Sequence, residues 1–226
     1  KYPVTIVFHG GGEASPITDN ETDLYHGGLQ YMNAVDSGVF DGYVLFMQSQ
    51  GLWGISSYTK LIDIINYMII NNKLDPFRIS VSGLSSGGQA SWDMIINYPN
   101  YVGASLPMSD VSIGYKDPSV VNKVKFTPMW NFQGALDGSP ATSTSQQVSN
   151  AMFAAGGNYR YSEYPNIGHD TWDPAFAEPD YFPFMNRAYS SNPWPLFGRT
   201  GFCNGDTINV TLGVPPGFDG YQWRKN

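Results

Sequence analysis

The chain has 226 residues, of which 42% are hydrophobic, 15% aromatic and only 14% charged, against roughly 25% charged in an average soluble domain. That apolar content excludes a disordered chain, and the length suits one domain with a full core plus a small appendage. Twelve Lys and Arg against 19 Asp and Glu give a net charge of −7 with no basic cluster, which argues against nucleic acid and anionic membranes as partners.

From the start of the chain, residues 4–8 form a mostly apolar run that ends in a glycine cluster, as a buried strand does. A second run covers 43–47 (YVLFM). Residues 58–73 carry Leu61, Ile62, Ile64, Ile65, Met68 and Ile69 at helical spacing, closed by Asn71, Asn72 and Pro76. A third strand is expected at 77–81 (FRISV), a helix at 89–98 and short strands at 102–107 and 128–132. A helix at 146–155 stops at Gly156-Gly157, and a last alternating strand covers 159–164 (YRYSEY). Strands alternating with helices imply an α/β fold, a mostly parallel sheet with helices on both faces. The longest apolar run, around 64–70, is broken by Asn66 and falls far short of the ~20 residues of a membrane span.

A single cysteine, Cys203, rules out a disulfide framework within the chain and a cysteine-based metal cluster. The chain opens at Lys1 with no initiator Met or signal segment, which reads as a processed or excised product. Low charge, acidity and many Asn, Ser, Tyr and Gly fit a secreted or cell-surface, bacterial protein.

Gly83-Leu84-Ser85-Ser86-Gly87 is a G-x-S-x-G motif set between the strand FRISV and a helix, the setting a nucleophile elbow requires. A tight turn there lifts Ser85 above the sheet edge, and side chains at 83 or 87 would collide with it. His9-Gly10-Gly11-Gly12-Glu13 directly follows the first strand. With no Lys-Ser/Thr at P-loop spacing, it reads as an oxyanion loop rather than a phosphate loop. The backbone N–H of Gly11, or alternatively of Gly12, would join that of Ser86 in an oxyanion hole.

Ser85 needs a base. Of three histidines, His9 is expected to brace its own loop and His26 to lie at the surface or on the substrate side. His169, just past the last strand, is the expected base. Asp137 follows the strand MWNF and therefore sits at the ligand-binding edge of a parallel sheet. It is the expected partner of His169, with Asp110 its main competitor. Asp170 and Asp173 are too near His169 in sequence and read as caps of the next helix. Trp53 and Trp172 fall at the same edge. Either ring suits stacking on a sugar or aromatic acyl group, or packing as a loop anchor.

The order Ser85, Asp137, His169 and the motifs around it resemble the α/β-hydrolase superfamily over about residues 4–186. Residues 78–110 and 157–174 are similar to its secreted esterase branch, which includes polyhydroxybutyrate-depolymerase-like, feruloyl and acetyl-xylan esterases. The resemblance implies an α/β-hydrolase fold and hydrolysis of carboxylic esters by a Ser85–His169–Asp137 triad with no cofactor and no metal. The expected partner is an ester substrate, possible forms being a polysaccharide or a polyester. In relatives the acid loop often reads H-G-x-x-D; here Gln133 stands at the position of that His. Two opening strands of a full hydrolase sheet are not found in the sequence, and no cap domain fits between 110 and 128, so an open site is expected. The competing readings are a serine peptidase of the prolyl-oligopeptidase-like type and a catalytically inactive hydrolase-fold binding module.

The catalytic domain is assigned to 1–193. The extension 194–226, with TINVTL at 207–212 and YQW at 221–223, resembles the first strands of an immunoglobulin-like module, though it is far short of the ~100 residues of a whole one. The alternative is a tail packed on the first domain.

Overall fold

Val4, Ile6 and Phe8 turn to one side of the first strand and Val7 to the other, and all four are buried. That two-sided burial makes β1 (Tyr2–Phe8) a central parallel strand. The chain then runs through α1 (Gly28–Asp36), β2 (Tyr43–Met47), α2 (Ile55–Asn71), β3 (Leu74–Leu84), α3 (Ser86–Asn97), β4 (Ala104–Met108), α4 (Pro118–Val124), β5 (Met129–Gly134), α5 (Thr142–Ala154), β6 (Tyr159–Tyr164), α6 (Trp172–Phe176) and α7 (Tyr181–Asn186). This is a computed structural model that describes residues 1–191, 194–195, 203–205, 207 and 212–224.

The six strands form one parallel sheet in the order β2-β1-β3-β4-β5-β6. The order reverses between β1 and β3, and a ligand crevice forms at the carboxyl ends beside such a switch point. The register pairs Phe8 with Gly83, Leu84 with Met108, Met108 with Phe132 and Gly134 with Tyr164. It therefore lines up the loops after β1, β3, β4, β5 and β6 along one rim.

The helices divide between the two faces. Leu61 and Ile65 of α2, Trp92 and Ile95 of α3 and Val148 and Met152 of α5 pack with Val4, Ile6, Phe8 and Val81. Tyr31 and Ala34 of α1, Phe176 of α6 and Tyr181 and Met185 of α7 pack with Val7, Leu106, Trp130 and Phe132. On the second face the buried hydroxyls satisfy one another: Ser82 Oγ lies 2.6 Å from Tyr181 Oη, which lies 3.1 Å from Tyr31 Oη. Among the described residues no helix is long and apolar enough to cross a membrane.

All six expected strands of the sheet are present, β2 and β6 with the expected ends and the other four with shifted ones. β3 begins at Leu74, because its first residues pair with Tyr2 across a register shift and the shift accommodates Pro76. Three helices longer than a turn, α1, α4 and α7, were not legible in the pattern. α1 buries only Tyr31 and Ala34 and lacks a capping side chain. α4 does carry a signal: Asp117 caps it by accepting the Ser119 N–H at 2.8 Å, and Pro118 stands at its first position.

In the extension, Trp194–Pro195 pairs antiparallel with Leu212–Gly213. Gly213 lies against the Phe126 ring and Gly217 against Asn100. Residues 208–211 of the expected strand 207–212 lie outside the described residues, and 221–223 form no strand.

Candidate active site

The elbow is built by contact. A Cβ at Gly83 would run into the carbonyl of Gly87, and a Cβ at Gly87 into the carbonyl of Phe8. Only hydrogen fits at both places, so β3 can turn into α3 directly beside the end of β1. The turn holds Ser85 at φ 53°, ψ −123°, a region a non-glycine residue occupies at a cost of about 1–3 kcal/mol. The Ser85 N–H reaches the Met108 carbonyl at 2.9 Å. Ser86 is the first residue of α3, where backbone N–H groups have no acceptor inside the helix and the helix dipole is positive.

Ser85 Oγ lies 2.9 Å from His169 Nε2, and His169 Nδ1 lies 2.9 Å from Asp137 Oδ2. The carboxylate can only accept, so Nδ1 carries the proton and Nε2 is left to accept from the Ser85 hydroxyl. The Asp137 side chain is 2% exposed and the His169 side chain 38%. Besides His169, Asp137 accepts from the Ser139 N–H at 2.9 Å and from Gln133 Nε2 at 3.1 Å. Gln133 is fully buried and its Oε1 accepts from Ser145 Oγ at 2.7 Å. The residue that departs from the resembled motif thus holds the acid by its amide. A Cβ at Gly134 would strike the Gly168 carbonyl, so the end of β5 presses on the loop that carries His169.

Gly11 opens a 3-10 turn, Gly11–Glu13, and a Cβ placed on it would sit 3.9 Å from Ser86 Oγ. The two expected oxyanion donors are therefore neighbours; Gly12 has nothing within 4 Å of such a Cβ. His9 is almost completely buried. Its Nδ1–H donates to the Gly10 carbonyl at 2.6 Å and its Nε2 accepts the Ser49 N–H at 3.0 Å. Both ring nitrogens are engaged in bracing the loop. Gln48 Nε2 adds bonds to the Ser15 carbonyl at 2.9 Å and Ser15 Oγ at 3.0 Å.

Asp110 follows β4, half-buried, and makes no hydrogen bond to His169; desolvation lifts its carboxyl to about 6, with the His169 charge pulling the other way. Asp170 and Asp173 do not cap α6. The cap position belongs to Thr171, whose side chain makes no capping bond, and Asp173 lies in the first turn. His26 Nε2 is 3.4 Å from Glu13 Oε1, and its ring centroid is 4.9 Å from that of Trp172.

The two tryptophans differ in exposure. Trp172 is 7% exposed and packs edge-on to His169 at 5.9 Å between centroids, so it backs the imidazole. Trp53 donates its indole N–H to the His9 carbonyl at 3.0 Å and packs on Phe8 and His9. It remains partly exposed and walls a groove of about 610 Å³ with Gln48, Gln50, Ser57 and Lys60.

Sequence reasoning did not find the role of Gln133 in holding Asp137. Its one signal was a Gln at an otherwise histidine position.

No family model matches the chain, and no curated protein matches it. Solved structures do. A thermostable esterase superposes with a TM-score of 0.70 at 20% identity, over 84% of this chain and 55% of that one. This chain thus spans little more than half the length of that protein. A ferulic acid esterase gives 0.61 at 17% identity, over 83% of this chain and 85% of that one. A variant of SOBER1 from Arabidopsis thaliana gives 0.57 at 17% identity, over 81% and 98%. With the parallel sheet and its helices, these likenesses define the fold: it is the α/β-hydrolase fold.

Proposed function

We propose that the chain is a serine carboxylic-ester hydrolase working through Ser85, His169 and Asp137. The observation that carries this reading is the unbroken pair of 2.9 Å contacts from Ser85 Oγ through the His169 ring to the buried Asp137 carboxylate. The esterases among the structures of like fold support it.

Ser85 Oγ attacks the ester carbonyl while His169 Nε2 takes its proton. Asp137 keeps the ring in the Nδ1–H form and stabilises the imidazolium. The N–H groups of Gly11 and Ser86 bind the oxyanion, each worth on the order of 3 kcal/mol of barrier. His169 then protonates the leaving alcohol, and the same ring draws a proton from water to release the acid from Ser85.

The partly exposed imidazole, and the partly exposed Trp53 on a groove that mixes Met47 and Ile64 with Gln48, Gln50 and Lys60, support a carbohydrate-linked or other short-acyl ester, with a polymeric ester next. Composition supports a secreted setting. We assign the activity to residues 1–193, with 194–226 as an extension that resembles the start of an immunoglobulin-like module.

Turnover of p-nitrophenyl acetate, abolished in Ser85→Ala with the fold intact, is the expected result. Retained turnover in that variant would refute the assignment. A panel of acetylated xylan, methyl ferulate, polyhydroxybutyrate and short peptides sets the substrate class. Cleavage of peptides alone would overturn the ester reading. Failure of a fluorophosphonate to label Ser85 would leave an inactive binding module.

A further inference from the structure

β3 and β4 end in the same way. Leu84 passes to Ser85 at φ 53°, whose N–H bonds the Met108 carbonyl at 2.9 Å; Met108 passes to Ser109 at φ 49°, whose N–H bonds the Phe132 carbonyl at 2.9 Å. Each strand hands over to a strained serine anchored to the next strand of the sheet. Backbone held in this region persists only where the surroundings enforce it. At Ser85 the strain aims the hydroxyl at the His169 ring. At Ser109 it aims a hydroxyl at the main chain of the same histidine.

Ser109 Oγ lies 2.5 Å from the His169 carbonyl and 2.6 Å from Thr171 Oγ1. A carbonyl only accepts, so the Ser109 proton goes to it and the Ser109 lone pair takes the Thr171 hydroxyl proton. The same carbonyl accepts the Thr171 N–H at 2.9 Å. Ser109 and Thr171 are both fully buried. This explains why Thr171, at the cap position of α6, makes no capping bond: its hydroxyl is committed to Ser109.

The arrangement matters because the imidazole itself is loosely enclosed, at 38% exposure. Its aim at Ser85 depends on where the loop between β6 and α6 holds its Cα. Misplacing a reacting group by about 1 Å costs on the order of 100-fold in rate.

We propose that Ser109 is a positioning residue, which with Thr171 forms a buried hydroxyl latch holding His169 in line with Ser85. The proposal rests on the triad reading given above.

Ser109→Gly tests it, because glycine accepts the backbone conformation and removes the hydroxymethyl group that makes the latch. The expected result is a fall in kcat on p-nitrophenyl acetate of about 100-fold with KM little changed. Thr171→Val follows in the same direction, and Thr171→Ser, which keeps the hydroxyl, restores turnover. The second readout is the downfield proton resonance of the His169 Nδ1–H bonded to Asp137. It is present in the parent protein and lost to exchange in Ser109→Gly. This signal needs no turnover. If the parent protein fails to hydrolyse esters, the triad reading falls, while the resonance still reports on the latch. An unchanged resonance in Ser109→Gly overturns the inference whatever the rate, and so does a kcat equal to that of the parent.

Discussion

Ser85 is held by backbone and His169 by side chains. Around Ser85 the fixed points are the carbonyls of Phe8, Gly87 and Met108, packed so closely that positions 83 and 87 admit no Cβ. Around His169 and Asp137 they are Gln133, Ser109, Thr171 and the Ser139 N–H, a buried network of single hydrogen bonds. The first arrangement fails with the fold, since moving it means moving strands. The second can lose a bond and leave the fold standing, so it is where activity is tunable.

The sharpest separation of the two halves comes from paired variants. Asp137→Asn should lower kcat by on the order of 10,000-fold through the wrong imidazole tautomer, with thermal unfolding nearly unmoved. Gly87→Ala should remove activity by displacing the elbow, and its calorimetric melting temperature should drop by the equivalent of about 1–3 kcal/mol or more. If Gly87→Ala melts with the parent protein, the backbone half is less rigid than described. Gln133→Leu comes next. It strips one donor from Asp137 and leaves Ser145 Oγ without its acceptor, so a loss of about 1–3 kcal/mol in denaturant unfolding and a fall in kcat are expected together. Unaltered kcat there would mean that the other donors suffice to hold the acid.

Asp110 gives a smaller effect with a definite sign. Burial lifts its carboxyl to about 6, above the unfolded value near 3.9, so the folded state holds that proton more tightly. Its contribution to stability is present below about pH 4 and lost as pH rises through 6. Asp110→Asn should therefore raise stability by about 1–2 kcal/mol at pH 8 and by almost nothing at pH 4. The smallest change is expected from Trp53→Phe, which deletes the N–H to the His9 carbonyl and should raise KM for polymeric esters more than for p-nitrophenyl acetate.

The same division explains how much could be read from the chain. The buried parallel strands are apolar runs, and the glycines of the elbow are written at fixed spacing, because close backbone approach leaves no other choice of residue. Ser85, Asp137 and His169 follow from those elements by their places at strand ends, and the structure brings all three together. Gln133, Ser109 and Thr171 carry no such mark. A buried amide or hydroxyl is specified only by what lies opposite it, and its partners stand up to 62 residues away in sequence. The tryptophans show the same limit: Trp172 is at the rim, as expected, yet packing against two imidazoles takes the face that a sugar would need. The helix α1 escaped notice because its sequence leaves most of its surface in water.

That indole between His26 and His169 has an optical consequence. A protonated imidazole quenches the emission of an adjoining indole more strongly than a neutral one. Trp172, isolated as the difference between the parent protein and Trp172→Phe, is thus a built-in fluorophore for the charge state of the rim that carries His26 and His169, readable in the absence of any substrate.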